Sequence, residues 1–530
     1  MLRYYQFILL TLVFIAGNVR GVPGDIVTGF KAPYSHSTGM TFDGKCLWIA
    51  DYEEKKLLRV DQNGKVVDSI NSPGYWPTGL AWDGEFLWNA DDAQNKIYKI
   101  NPQDGTVMFR IDAPCSNPFG LAWDGETLWV ADRRDSEIHK MDLSDGTAIK
   151  TIKAPAGNTQ GLTFDGQYLW CSDRGEDELY MIDPESGCVL VIGQTPGPYS
   201  SGLAWDGSFL WNVDFETDSL YQCVRRDKEL YKLSECRYTE VTLKHHAFPR
   251  GQGSLQQLNV YVAIPEERPY QKIESIQFSP EDYKGLKDRW DQEFAAFSYH
   301  DKSGPVPIET EMSVRAKLYA VDYFIFPDHV GGLEDIPSDI AESYTADGSK
   351  YRINDSFIQA KLKEILNDEQ RPYYMAQRIY DYVRNTLEYK LEGGWNVAPF
   401  VLQRGTGSCS EYTFSFIALC RAAGIPARYV GAAVVRGDDA SIDEYFHRWP
   451  EVYLPGYGWI PMDPQAGDKQ TPREVAMGIG HLPNRFLITT QGGGDSEILG
   501  WYYNSNESFI TDPGMELEVW TVGGWNPVAR

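Results

Sequence analysis

The 530-residue chain is 42% hydrophobic and 13% aromatic, ample for several packed cores and contrary to general disorder. Its formal net charge of −26 favours solubility and excludes a broad role on nucleic acid or on acidic membrane surfaces. Eight cysteines are too few for a disulfide scaffold at this length, and no CxxC spacing of a zinc ribbon or a thioredoxin motif occurs. The length calls for about two to four folded units.

The chain opens with Arg3 and an apolar run over 7–16 broken only by Thr11, followed by small residues at Ala16, Gly17 and Gly21. This predicts an export signal over 1–21, and hence a secreted or periplasmic protein with no membrane attachment after cleavage. No later segment approaches the length of a membrane span.

Next comes a repeat. It reads TGMTFDGKCLWIAD, TGLAWDGEFLWNAD, FGLAWDGETLWVAD, QGLTFDGQYLWCSD and SGLAWDGSFLWNVD, and its DG aspartates are Asp43, Asp83, Asp124, Asp165 and Asp206. A period near forty with four short β-like runs per unit predicts a β-propeller. The glycine of each DG pair supplies the positive φ of a tight hairpin. In the first four units the glycine that opens the fourth run lies nine residues before a proline (Gly64 and Pro73, for instance), and that proline lies ten before the next DG aspartate. The fifth unit lacks this run, but Gly24, Pro33 and Asp43 repeat the same spacing at the chain start. The N-terminal strand is therefore expected to complete the last blade and close a five-bladed ring over 22–225, which removes sheet edges. The tryptophans at 48, 88, 129, 170 and 211 fit packing between blades better than a sugar platform. Asp51, Asp91, Asp132, Asp173 and Asp214, each three residues further on, fit strand-end capping better than metal binding. The region resembles NHL- and WD-type propellers in repeat length and turn chemistry, without a regular GH…WD signature. Cys223 and Cys236 are a candidate disulfide at its end.

Over 226–335 the runs at 255–264, 273–278 and 314–325 alternate or are β-branched, which predicts a β-rich, sandwich-like module without a chemical motif of its own. Helical periodicity begins near Ser356. A second helix starts at Pro372, with Met375, Ile379, Val383 and Leu387 on one face. Both read as packing support for the cysteine-bearing segment downstream.

The segment GTGSCSEY leads into FSFIALCRAAGIPAR, a helix of about four turns that stops at Gly424. Cys409 stands in its first turn, where the positive end of the helix dipole favours the reactive thiolate. Cys420, amid apolar neighbours on the same helix, reads as core. Two strand-like runs come after it, EYFHRWPEVYL with His447 and GWIPMDP with Asp463, joined by a turn at Pro455 and Gly456. A hairpin there would put His447 and Asp463 on neighbouring strands, so that the imidazole takes the thiol proton and the carboxylate holds its ring. Taken singly, a cysteine is usually a small buried hydrophobe and an aspartate before proline a turn former. The ordered set is what points to chemistry.

GxCxEY, RAAGIPAR and HRWPEVYLPGYGWIPMD together resemble the transglutaminase-like superfamily, which includes transglutaminases, microbial cysteine proteases and peptide N-glycanase-type amidases. The resemblance covers roughly 340–485. It implies an α+β papain-like catalytic domain, here set at 336–530, with Cys409 as nucleophile, His447 as general base, Asp463 as its orienting partner, and no cofactor or metal. Trp395 and Gln403 are candidate oxyanion donors beside the Cys409 amide, and Trp449 and Trp459 candidate cleft walls. Glu451 is expected to order its strand and Arg428 to pair with a carboxylate. The expected function is acyl transfer from amide bonds of proteins or peptides, by a peptidase or amidase in first place. Protein-glutamine cross-linking or deamidation is the alternative. A catalytically silent binding protein is the reading from another class, and in either case the propeller is a candidate for recognising a protein partner.

Overall fold

The structure is a computed structural model that describes residues 21–391, 395–435, 441–443 and 446–528. The export signal expected over 1–21 falls outside them except for its last residue. Among the described residues no helix is long and apolar enough to cross a membrane. The chain divides into two compact units: Met1–Ile152, Gly157–Leu179 and Gly193–Glu229 form one, and Lys153–Ala156, Tyr180–Ile192 and Leu230–Arg530 the other.

The repeats fold into four-stranded antiparallel sheets, five in all. In the first, Ser37–Phe42 is innermost, followed outward by Leu47–Asp51, Lys56–Val60 and Val66–Asn71. The fifth is completed at its outer edge by Ile26–Lys31 from the chain start, which pairs with Ser219–Cys223. Each sheet buries the face that meets the next. Trp48 packs with Leu80, Leu87 and Ile100 of the second sheet, and Trp88 with Leu121, Leu128 and Val130 of the third. Trp211 of the fifth sheet packs with Met40, Ile49 and Leu58 of the first. The glycine on each inner strand, in a GM pair in the first repeat and a GL pair in the rest, is required by this convergence. A Cβ on Gly39 would collide with the backbone of Thr78 on the neighbouring inner strand.

One polar device recurs behind the tryptophans. Asp43, Asp83, Asp124, Asp165 and Asp206 cap their own turns through Oδ1, and Oδ2 accepts from the indole Nε1 five residues on, at 2.7–3.1 Å. A cation sixteen residues on completes the first three: Arg59 at 2.7 Å, Lys99 at 2.9 Å and Lys140 at 2.9 Å. In the fourth repeat that position is Met181, and Arg225, from beyond the last repeat strand, supplies the charge to Asp165 at 2.7 Å instead. The second set of aspartates caps turns too. Asp91, for example, accepts the Gln94 amide at 2.8 Å and the Trp76 amide at 2.6 Å.

The second unit differs from the expected division at 335. Its long strands Tyr231–Gly251 and Ile308–Tyr323 pair with each other, and the C-terminal strand Met515–Pro527 lies on the other side of Tyr231–Gly251. Ser505–Thr511 pairs with Ser254–Ala263 of a second sheet. The β module is therefore completed by the end of the chain, because long amphipathic strands from both places share one core, including Leu243, Leu258, Val260, Phe297, Met312 and Trp525. No disulfide joins Cys223 and Cys236, contrary to the candidate pairing. The first is buried in a repeat strand, and the second lies beside Tyr319, whose hydroxyl pKa it raises.

Among the described residues, six α-helices lie between these strands: α1 (Ser338–Tyr344), α2 (Ser356–Leu366), α3 (Pro372–Thr386), α4 (Ala398–Arg404), α5 (Cys409–Ala422) and α6 (Pro472–Ala476). α5 is the buried centre, with α2, α3 and α4 on one side and a sheet of Ala427–Val434, Phe446–Leu454, Gly458–Pro461 and Phe486–Gly492 on the other.

Asp165 has no exposed side-chain surface, so Arg225→Met should leave a carboxylate held only by the indole and turn amides. The expected cost is about 1–3 kcal/mol, read as an earlier urea midpoint for the repeat region. Lys31→Met, whose amine only meets the Thr217 carbonyl at the surface, should leave the midpoint within error.

Candidate functional site

α5 starts at Cys409, and a buried carboxylate sets that start. Glu411 has no exposed surface. It accepts the Ser408 amide at 3.1 Å, the Asn396 amide at 2.9 Å and an Arg404 guanidinium N–H at 2.9 Å. One side chain thus ties the loop after residue 394 and the end of α4 to the first turn of α5. Thr413, one turn on, donates through its hydroxyl to the carbonyls of Cys409 at 2.8 Å and Arg448 at 3.1 Å. This fastens the helix start to the strand that carries His447.

His447 sits opposite Ala432 in Phe446–Leu454. Its Nε2 lies 2.6 Å from Asp463 Oδ2. The Cys409 sulfur also acts on the imidazole and raises its pKa, and with Nε2 taken by the carboxylate Nδ1 is the nitrogen left for the sulfur. Asp463 lies just past the end of Gly458–Pro461 rather than within it. Its Oδ1 accepts the amides of Gln465 at 3.0 Å and Ala466 at 3.1 Å, which fixes the carboxylate while Oδ2 faces the ring.

The electrostatics of the three groups are coupled. Burial alone would push the His447 pKa down, but the charge and hydrogen bond of Asp463, aided by the sulfur, raise it to about 10. Burial alone would raise the Cys409 thiol. The hydrogen bond and charge of His447, the Arg448 amide and the Arg448 charge together bring it below its ordinary value. Both shifts favour the ion pair of thiolate and imidazolium over the neutral pair.

Arg448 contributes in a way its place in HRW does not announce. Its side chain is fully buried, and its guanidinium lies 4.3 Å from the Tyr503 ring centre, 4.7 Å from Tyr429 and 5.1 Å from both Trp395 and Phe414. One N–H donates to the Trp501 carbonyl at 2.5 Å. A cation held by aromatic faces keeps a positive field near the sulfur.

The remaining expected residues fall on both sides of the outcome. Trp395 belongs to the same aromatic group as Arg448 and Tyr503, and burial raises the Tyr503 pKa with the Cys409 charge as the next cause. Gln403 is exposed on α4, and no hydrogen bond of its side chain joins it to Cys409. Trp449 is buried and stacks on His447 with ring centres 5.6 Å apart, with Phe486 against both, so it backs the imidazole instead of walling a cleft. Trp459 lies away from the triad in its contacts: it covers the guanidinium of Arg428 at 4.2 Å and touches Tyr344 and Tyr453. Arg428 pairs with Glu451 at 2.7 Å, and Arg268 from the β module holds the other Glu451 oxygen at 2.8 Å. Glu451 thus orders its strand, as its position suggested. Sequence reasoning missed Thr413, Arg448 and Tyr503, and gave Glu411 no role. Only Glu411 carried a usable signal, as the third residue of a helix after Ser408.

Residues 359–464 match the family model of the Transglutaminase-like superfamily. An uncharacterized protein of Haemophilus influenzae is 26% identical over 242 residues, 40% of this chain and 64% of its own length. The uncharacterized protein YebA of Bacillus subtilis is 26% identical over 148 residues, 24% of this chain and 20% of its own. The chain thus spans less than two thirds of either relative. Among solved structures, a protein of Cytophaga hutchinsonii proposed to be a cysteine protease aligns at 14% identity and TM-score 0.40, over 56% of this chain and 99% of that one. Virginiamycin B lyase of Staphylococcus aureus aligns at 19% and 0.26, over 36% and 67%. Behind its propeller-type sheets, then, this chain carries a transglutaminase-like domain, that of a superfamily of cysteine-dependent enzymes.

Proposed function

We propose that the protein is an exported cysteine peptidase or amidase, with Cys409 as nucleophile, His447 as acid and base, and Asp463 as the group that holds the imidazole. The observation that carries this reading is the continuous chain from a helix-start sulfur through a half-buried imidazole to an anchored carboxylate.

In the first half-reaction the Cys409 thiolate attacks the carbonyl carbon of an amide. The oxyanion forms beside the Cys409 amide at the start of α5, with Trp395 as the candidate side-chain donor. His447 then passes its proton to the departing amine, and a thioester on Cys409 remains. In the second half, neutral His447 takes a proton from the incoming nucleophile as it bonds to the acyl carbon, and the C–S bond breaks to release the acyl product and restore the Cys409 thiolate. Water is the acceptor in this reading because it reaches an open thioester at far higher concentration than any protein amine. A lysine amine in its place would yield a cross-link with the same residues. The repeat region is the candidate for recognising the protein substrate.

Incubating the wild type and Cys409→Ala with a glutamine-containing protein and a labelled primary amine separates the outcomes. Shorter fragments or released ammonia without label, absent in the variant, are expected. Cysteine-dependent label incorporation would move the assignment to transglutaminase, and no cysteine-dependent product would remove the enzyme reading.

The ion pair also fixes a pH profile. It exists above the lowered pKa of Cys409 and is lost as His447 releases its proton near pH 10, so activity should form a broad plateau between these limits. Asp463→Asn removes the charge that raises the His447 pKa. The alkaline limb should then move to lower pH, and kcat/KM should fall about 10²–10⁴-fold. An unmoved alkaline limb would mean that Asp463 does not govern the imidazole.

A further inference from the structure

The third repeat breaks the pattern of the others at two positions, and both point at the same aspartate. The residue seventeen before the capping aspartate is Tyr34, Gly74, Ala156 or Gly197 in the other repeats, but Cys115 before Asp132. The residue seven after it is Leu58, Tyr98, Tyr180 or Tyr221 elsewhere, but His139 after Asp132. At Gly74 and Gly197 the aspartate comes so close that a Cβ would meet its Oδ2. A cysteine at this place therefore sets its sulfur directly against the carboxylate. In the second, fourth and fifth repeats a loop amide (Trp76, Asn158 or Tyr199) donates to that Oδ2 at 2.6 Å. In the third, Asp132 accepts the Arg134 amide at 2.8 Å and the Asp135 amide at 3.3 Å through Oδ1, and among the described residues no loop amide donates to its Oδ2.

The result is a cluster of three different donor atoms. The Cys115 sulfur, an Asp132 carboxylate oxygen and a His139 ring nitrogen all lie within 4.8 Å of one another. Asp132 and His139 are buried, Cys115 is half-buried, and the cleft they line also carries Asp135 and Glu137. The His139 ring is fixed from behind: Thr151 Oγ1 lies 2.9 Å from Nδ1, while Glu137 Oε2 is 3.8 Å from Nε2. A ligating imidazole is commonly oriented by such an outer partner.

We propose that Cys115, Asp132 and His139 form a divalent-metal site of the Zn²⁺ class in the repeat region. The donor set of one sulfur, one nitrogen and one carboxylate oxygen suits a borderline-soft ion and not Mg²⁺ or Ca²⁺. With bonds of about 2.0–2.3 Å, tetrahedral ligands stand roughly 3.3–3.8 Å apart, so side-chain rotation of about an ångström closes the cluster on an ion. Water or Glu137 takes the fourth position. The Cys115 thiol releases its proton to solvent as the ion binds.

Cobalt(II) reports such a site directly, through thiolate-to-cobalt charge-transfer absorption in the near ultraviolet. The full chain carrying Cys409→Ala, which removes the reactive thiol of the other unit, is stripped with a chelator and titrated with Co²⁺ alone. The expected result is a charge-transfer band that saturates at one equivalent and is bleached by Zn²⁺. Cys115→Gly and His139→Tyr install residues that other repeats already hold at these positions, so both variants should keep the far-ultraviolet circular dichroism of the parent. Cys115→Gly should abolish the band, and His139→Tyr should weaken binding by more than the roughly 10–100-fold expected for Thr151→Val. No charge-transfer band in the Cys409→Ala parent, or a band that persists in Cys115→Gly, overturns the proposal.

Discussion

A half-buried imidazole held between a carboxylate and a sulfur is the constraint around which the candidate site is organised. Removing an imidazolium from water is unfavourable by itself, and burial does push His447 toward neutrality. The protonated ring persists because Asp463 faces one nitrogen and a thiolate the other. The thiolate in turn persists because the imidazolium, the Arg448 amide and the caged Arg448 charge surround it. Neither ion would be stable in this place without the other, and so the state of the sulfur is a property of the group.

Such a group works only if its geometry is held from outside. The anchoring is distributed over three layers. Glu411 and Thr413 fix the helix start against the loop before α4 and the strand beneath. Tyr380 of α3 packs below the loop that carries Asp463, donates to the Val475 carbonyl at 2.7 Å, and leaves no room for a Cβ at Gly467 or Gly478. Glu451, clamped by Arg268 and Arg428, joins the strand of His447 to the β module; burial would raise its pKa, but the two guanidinium groups lower it instead. A buried ion pair of this kind adds little net stability, yet removal of one partner leaves an uncompensated charge, which makes it an effective positional lock.

What could be read from the chain depended on whether the signal was local. The forty-residue period, the DG turns, the start of α5 at Cys409 and the order of cysteine, histidine and aspartate are carried by near neighbours, and these were legible. The fate of the C-terminal strands was not, because Met515–Pro527 pairs with a strand more than 250 residues earlier and nothing in its own pattern names that partner. Arg448 was invisible for a related reason. Its aromatic enclosure is assembled from four distant places in the chain: Trp395, Phe414, Tyr429 and Tyr503. Gln403 and Trp459 were named from spacing and residue type, and the fold turns one to solvent and lays the other over Arg428. In the repeats, regularity carried the architecture, while the chemistry worth testing lies where one repeat departs from it.

The ionisation of Cys409 is accessible without knowing any substrate. Its alkylation rate by iodoacetamide, taken as the difference between the wild type and Cys409→Ser across pH, tracks the thiolate population. The account predicts that the reaction of Cys409 rises at lower pH than that of a free thiol, which ionises at about 8.5. A rate that rises only through that ordinary range would contradict it, for the sulfur would then lack its imidazolium partner.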